Sequence, residues 1–228
     1  IEDGHLGTWI HIDIKPDIIK VIQYSPLVTV GLADELGLRY NKDTDRILNA
    51  ILRKIGFDMV FTMGTGTDVY ITEVTNQLIS KLENGTDTPL FLSACPAWVK
   101  YCEQFLTPWI PRLSTVKSAQ QITGVLIKTV VAERHKVKPE NIYSVSATPC
   151  LAMKFEARRD GMMRKGISDV DAVLTVRELA RLIRLYGIDT SNVEPEPADE
   201  PLAGRSSSAF LSEVSGGLTE GILRLLHF

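Results

Sequence analysis

Five short apolar runs, four of them closed by a turn of small, cyclic or sulfur-bearing residues, constrain this chain more than any other feature. They are "IIKVIQY" (18–24), "DMVFTM" (58–63), "PLFLS" (89–93), "NIYSVSA" (141–147) and "DAVLTV" (171–176). Between them lie stretches with helical periodicity. Strands that alternate with helices make parallel βαβ units, because a parallel pair needs a crossover long enough to hold a helix. The expected fold is therefore α/β, a parallel sheet with helices on both faces. In such folds binding groups gather beyond the carboxyl ends of the strands. Ser25, Gly64, Cys95 and Cys150 each follow a strand, so all four are expected on one edge.

The helices have readable ends. Residues 27–37 stop at Gly37. In "DTDRILNAILRKIG", Ile47, Leu48, Ile51, Leu52 and Ile55 share one face, Asp43 or Thr44 can cap the start, and Gly56 suits the end. Further helices are expected over 68–85, in a short piece after Cys95-Pro96, over 118–136 and 177–187, and after Gly216-Gly217. Residues 107–111 are Pro-rich. The acidic, Pro-rich stretch 188–207 reads as a surface loop. A first segment, 1–19, leads in, and the length suits one or two domains.

Composition excludes several function classes. The net charge is −3 and the pI about 5.9, which gives no basis for a nucleic-acid or anionic-membrane partner. No apolar run approaches the roughly 18 residues of a membrane span. Three widely spaced cysteines among 228 residues do not make a disulfide framework, so a reducing cytoplasm is the expected compartment. The chain starts at Ile1 rather than Met, which suggests that its start is not shown.

Cys95 precedes Pro96, and Cys150 follows Pro149. Pro is preorganised for a first helical turn, and a helix N-terminus favours a thiolate, the form that metals and iron–sulfur clusters bind. Lys154 and Arg158 add positive charge after Cys150. Beside this stands the plainer reading of each thiol as a small buried hydrophobe, which is the expectation for Cys102. A thiol-enzyme reading lacks a base: His5, His11, His135 and His227 have no evident route to either cysteine. "MGTGT" (63–67) lacks the full glycine pattern and any lysine of a phosphate loop.

These residues resemble a family. "LSACPAWVKYCE" (92–103) is similar to the first cluster-binding motif of [FeFe]-hydrogenases, Thr-Ser-Cys-Cys-Pro-Gly-Trp. "ATPCLAMKFEARR" (147–159) resembles the second, Met-Pro-Cys-x-x-Lys-Lys-Phe-Glu. "KSAQQITGVLIKT" (117–129), "DVDAVLTVRELARLI" (169–183) and "SGGLTEGILR" (215–224) also resemble family segments, so the likeness covers about 20–226. It implies the iron-only hydrogenase fold and a partial H-cluster domain over 20–228. The H-cluster is a [4Fe–4S] cubane joined to a diiron unit with CO, cyanide and a bridging dithiolate. The resemblance implies Cys95 and Cys150 as two cubane ligands. The other two belong to a third motif, Glu-x-Met-x-Cys-x-x-Gly-Cys, which this sequence does not reach; a C-terminal part is expected to be lacking. Around the cluster it implies Ser25, Pro26, Ser93, Pro96, Gln120, Pro149, Met153 and Lys154. Ser118 falls in the same region, and Trp98 and Phe155 would keep it dry. The implied partners are a ferredoxin-like electron-transfer domain or protein, maturation proteins, and H2 with protons. The implied setting is an anaerobe.

The chain departs from the family where protons move. The relay cysteine beside the diiron unit is Ala94, and two relay glutamates align with Val74 and Gln77. Ser114 keeps a relay serine. The lysine that hydrogen-bonds a cyanide aligns with Met153, with Lys154 next to it. Thr148 replaces a methionine, and Ser212-Glu213 stands for a Phe-Gly. The expectation is weak hydrogenase activity, as in sensory hydrogenases that report hydrogen. The alternative is a hydrogenase-like iron–sulfur assembly protein with a cubane and no diiron unit, for which Ser93-Ala94-Cys95-Pro96 is the usual first motif.

Overall fold

The computed structural model describes residues 17–85 and 89–227. The lead-in up to residue 16, with His5 and His11, lies outside them. Four parallel strands form one sheet: β1 (Ile19–Tyr24), β2 (Met59–Thr62), β3 (Ile142–Thr148) and, last in sequence, Ala172–Thr175, in the order β2-β1-β3-last. The last strand is β6, because the sequence missed an antiparallel hairpin of β4 (Met163–Arg164) and β5 (Ile167–Ser168).

Both faces are covered. Ile22, Tyr24, Val60, Val145, Ala147 and Leu174 pack beneath α1 (Pro26–Leu36), α2 (Thr44–Ile55) and the helix Val176–Leu185. Alternate residues on these strands meet that layer because side chains alternate across a strand, and each such large apolar side chain contributes about 1.5–3 kcal/mol. On the opposite face Val21, Phe61 and Ile142 pack against Ile127 and Val131. These belong to the predicted long helix. It runs as an α-helix over Ala119–Leu126, widens into a π-helical turn at Ile127–Val131, and ends at Arg134. Ser118 caps its start, accepting from the Gln121 N–H at 3.4 Å.

The opposite face also holds Gln23, Ser144 and Ser146, all wholly buried. Gln120 answers two of them: its carbonyl accepts from Gln23 Nε2 at 2.9 Å, and its Oε1 accepts from Ser146 Oγ at 2.8 Å. Unpaired polar groups there would be costly, so this pairing fixes the helix over the carboxyl end of the sheet.

Two expectations change. Residues 89–93 do not join the sheet; Phe91 makes one parallel bridge to Leu113, with Phe91 N–H on the Arg112 carbonyl and Ser114 N–H on the Phe91 carbonyl. The edge of β2 is already occupied by the supposed surface loop. Asp199 N–H bonds the Val60 carbonyl at 2.9 Å, and its carboxylate accepts from Val60 N–H at 2.7 Å. Arg53 holds Glu196 and Asp199 of the same strap, and Leu202 is buried against the sheet. Residues 188–207 thus clamp α2 and the sheet edge.

The helix after β2 starts earlier than expected, at Gly64, and runs to Glu83; it is α3. "MGTGT" is a packing device: a Cβ at Gly66 would stand 2.1 Å from Thr123 Oγ1, and one at Gly64 2.4 Å from Arg205 Cβ. The remaining helices are α4 (Pro96–Phe105), α5 (Ala119–Leu126), α6 (Ala152–Ala157), α7 (Val176–Leu185), α8 (Ser207–Leu211) and α9 (Gly217–His227). Among the described residues no helix is long and apolar enough to cross a membrane.

Candidate metal centre

The strand ends converge because the strands are parallel and in register. Tyr24 pairs with Thr62 on one side and Ala147 on the other. Ser25 N–H bonds the Ala147 carbonyl at 3.1 Å, and Met63 N–H bonds the Tyr24 carbonyl at 3.0 Å. The turns carrying Ser25, Met63 and Thr148 therefore share one edge.

A cavity of about 220 Å³ opens there. Its wall includes Ser25, Ala94, Gln120, Pro149, Cys150 and Met153, all singled out from the sequence. It also includes Thr67, Tyr70, Ser212, Glu213 and Leu218. A second cavity of about 140 Å³ lies outside it, lined by Ser93, Pro96, Ser114, Lys117, Glu156 and Arg159 among others. Ser118 lines both. Pro26 lines neither and serves as the first residue of α1.

Cys95 sits between Ala94 on the inner wall and Pro96 on the outer one. It occupies the N-cap of α4, with its carbonyl accepting from Val99 N–H at 3.1 Å. Cys150 stands just before α6; its N–H bonds Thr148 Oγ1 at 3.3 Å, and its carbonyl accepts from Met153 N–H. The two helices these cysteines introduce pack together: Lys100 Nζ lies 5.1 Å above the Phe155 ring, and Arg159 pairs with Glu103. Both thiols are free, Cys95 exposed and Cys150 half-buried, whereas Cys102 is fully buried as expected of a core residue.

Among the described residues no three His, Cys, Asp or Glu side chains cluster to hold a metal ion. A four-iron cubane takes four ligands. The two thiols fit half of that set, beside a cavity of mixed polar and apolar wall.

Lys154 lies away from the inner cavity. Its ammonium is ion-paired with Glu178, the residue that closes the capping box of α7 with Thr175, and does not line the inner cavity. Met153 faces the cavity instead, and a thioether donates no hydrogen bond.

The positions of the resembled relay lie together. Val74, wholly buried, packs in a cluster with Leu90, Leu92 and Ala94. Farther out, Ser114 Oγ–H donates to Gln77 Oε1 at 2.8 Å, and Gln77 Nε2 donates to Thr115 Oγ1 at 3.4 Å. The inner half is apolar and the outer half polar but not ionisable.

Two groups were not singled out from the sequence, Glu156 and Tyr70, and Glu213 entered only as half of the Ser212-Glu213 pair. Glu156, within the quoted second motif, is buried and accepts from Ser118 Oγ at 2.7 Å and from Gln120 and Gln121 at 3.4 Å each. Burial pushes its carboxyl up, against the pull of those donors. Burial likewise raises the Glu213 carboxyl and the Tyr70 phenol. The Tyr70 hydroxyl lies close to Ser93 and Ala94 without a partner at hydrogen-bond distance. No sequence signal marks Tyr70, which sits mid-helix among apolar neighbours.

The model of the iron-only hydrogenase large subunit, C-terminal domain, matches residues 19–228. The chain is 35% identical over 217 residues to the periplasmic [Fe] hydrogenase large subunit of Nitratidesulfovibrio vulgaris, covering 94% of this chain and 52% of that one. It is 32% identical over 206 residues to cytosolic iron-sulfur assembly component 3 of Pongo abelii, covering 87% and 43%. A glutamate-to-alanine variant of the [FeFe]-hydrogenase of Chlamydomonas reinhardtii superposes with a TM-score of 0.86 at 28% identity, covering 97% of this chain and 57% of that one. The chain spans between 36% and 52% of the length of the hydrogenases it matches. The parallel sheet, the clustered turns and the match over nearly the whole described chain lead to one conclusion: this chain belongs to the iron-only hydrogenase large subunit, C-terminal domain family.

Proposed function

We propose that this chain supplies two of the four thiolates of a [4Fe–4S] cluster, Cys95 and Cys150, in a hydrogenase-lineage protein that turns over H2 slowly and reports hydrogen. One observation carries the reading: the two cysteines open two helices, α4 and α6, that pack together at the carboxyl edge of the sheet. When bound, the cluster supplies one-electron redox chemistry. The residues of this chain hold and shield it. Cys95 occupies the N-cap of α4 and Pro96 its first turn, which fixes where the thiol is presented. Gln120, pinned by Gln23 and Ser146, presents a fixed amide to the cavity. Slow turnover follows from the wall, because Ala94 and Val74 can neither give nor take a proton. A diiron unit with CO, cyanide and dithiolate would occupy the inner cavity, and a ferredoxin-like partner would deliver electrons.

A second reading has its own support. Met153 offers the cavity no hydrogen bond and Lys154 is committed to Glu178, which suits an assembly-type protein holding a cubane without a diiron unit. Infrared spectra of the matured full-length protein separate the two. Bands of iron-bound CO and cyanide support the hydrogenase reading; iron and labile sulfide without them support the assembly reading. Unchanged iron content in the Cys95→Ser/Cys150→Ser variant overturns both.

A further inference from the structure

The wall of the inner cavity includes three titratable side chains: Tyr70, Cys150 and Glu213. Tyr70 is a phenol with its pKa raised by burial, and the thiol of Cys150 is taken up by the cluster in the reading above. Glu213 is the one carboxyl, and it arrives from a turn 188 residues after the strand end it faces. Ser25 Oγ–H points at Glu213 Oε2 at 3.5 Å, and the Leu27 N–H of the first turn of α1 faces the same group. Pro26 has no N–H to offer, so the carboxylate meets a helix start with an open donor. The turn cannot drift outward: a Cβ at Gly217 would lie 1.6 Å from the Leu211 carbonyl oxygen, so the chain from 211 to 217 is closed tightly on itself.

Ala94 on the same wall is inert, and Val74 beside it is sealed. Glu213 is only partly buried, so it meets the cavity and bulk water at once. The charged groups around it are few. Arg205 faces it and lowers its pKa, while standing 3.9 Å from Asp45. On α3, Asp68 is engaged by Ser206. On α9, Glu220 is paired with Arg224. Burial outweighs Arg205 and Ser25, so the acid form is favoured relative to an exposed glutamate.

We propose that Glu213 is the proton-exchanging group of the inner cavity. When an external one-electron donor reduces the iron–sulfur group held at Cys150, the Glu213 carboxylate takes one proton from bulk water and becomes a carboxylic acid. On oxidation the electron leaves and the O–H proton returns to water. This rests on the cluster reading above and holds whether or not a diiron unit is present.

The test is a redox titration of the cluster signal across pH in the loaded full-length protein, followed by electron paramagnetic resonance. The midpoint potential is expected to fall with rising pH in the parent and in E213D, and to flatten in E213Q with iron content unchanged. A second readout needs no cluster: in carbon-13 spectra of glutamate-labelled, unloaded protein, the Glu156 and Glu213 carboxyls titrate above the ordinary range, and the Glu213 signal is the one that disappears in E213Q. A slope retained by E213Q, a Glu213 carboxyl titrating in the ordinary range, or iron lost in E213Q overturns the proposal. Loss of iron from the parent itself overturns the cluster reading, and the proposal falls with it.

Discussion

Replacing Gly66 by alanine separates two effects of opposite sign. Within a helix Ala is favoured over Gly by up to about 1 kcal/mol, and Gly66 lies in the first turn of α3, where that gain is smaller. Against it stands the crossing with α5. The new methyl would lie 2.1 Å from Thr123 Oγ1 and 2.7 Å from the Ala119 carbonyl oxygen. Thr123 is wholly buried, and its hydroxyl already donates to that carbonyl at 2.8 Å, so neither contact can turn away. To reach ordinary contact near 3.4 Å the helices must part by about 1.3 Å at Thr123 Oγ1 and about 0.7 Å at the Ala119 carbonyl. Overpacking of this kind costs about 1–3 kcal/mol. The net is a loss of about 1–2 kcal/mol, and a melting point lower by roughly 2–8 °C for a chain of this size. Because α5 carries Ser118 and Gln120 to the cavity, iron uptake should drop too. Gly161, with open space around it and an ordinary backbone, is the control: Gly161→Ala should leave both unchanged. Urea midpoints and thermal melts measure the first effect. A Gly66→Ala protein that melts at or above the parent refutes the packing argument.

Three further outcomes are expected. In Glu156→Gln the pH dependence of stability changes: the folded state raises this carboxyl's pKa, so its contribution is full at low pH and is lost as pH rises through the folded value. Urea midpoints of the parent should decline across that window relative to the variant, and parallel curves contradict this. Asp199→Ala removes the acceptor for the Val60 N–H and a partner of Arg53; a loss of about 1–3 kcal/mol and faster hydrogen exchange at Val60 are expected, and unchanged exchange at Val60 refutes the strap. Ala94→Cys together with Val74→Glu should speed hydrogen turnover of the loaded full-length protein, and an unchanged rate counts against the assignment of these positions.

The strands were legible because each is a short, largely apolar run, three of them followed by Ser25-Pro26, Gly64 or Pro149 and the last by the start of α7, and four of the five expected runs lie in the sheet. "PLFLS" has the same look and fails for a reason outside itself: the edge of β2 is filled by Asp199, 139 positions away from Val60. The strap was misread because its acids and prolines dominate its composition. Its two buried apolar residues, Val193 and Leu202, are too few to alter an average, and the partner of its acids, Arg53, belongs to another helix. In "MGTGT" the glycines read as a turn, yet they mark where α3 passes close to Arg205 and α5. At the site, the turn position of Cys150 was readable because β3 ends beside β1 in the parallel sheet, whereas Cys95 follows a segment outside the sheet, so parallel strand ends do not account for its place. Which of Met153 and Lys154 faces the cavity was not. Consecutive residues on a helix point about 100° apart, so one position of uncertainty moves a side chain from the cavity to Glu178.

The packing around positions 74 and 94 shows how their side chains constrain each other. A carboxylate at position 74 alone would be buried among Leu90, Leu92 and Ala94, with no partner to offset its desolvation, and such a group stays protonated rather than passing protons on. A cysteine at 94 alone would face a sealed Val74. Each apolar side chain therefore suits the other, and the inner half of the file is apolar packing. The outer half keeps a hydrogen bond, Ser114 to Gln77, whose amide holds its partner without ionising. Glu213 escapes this logic because it comes from a different element, rests against the open start of α1, and touches solvent. A carboxyl can persist in the cavity only where a donor and water both reach it, and the turn between α8 and α9 meets both conditions.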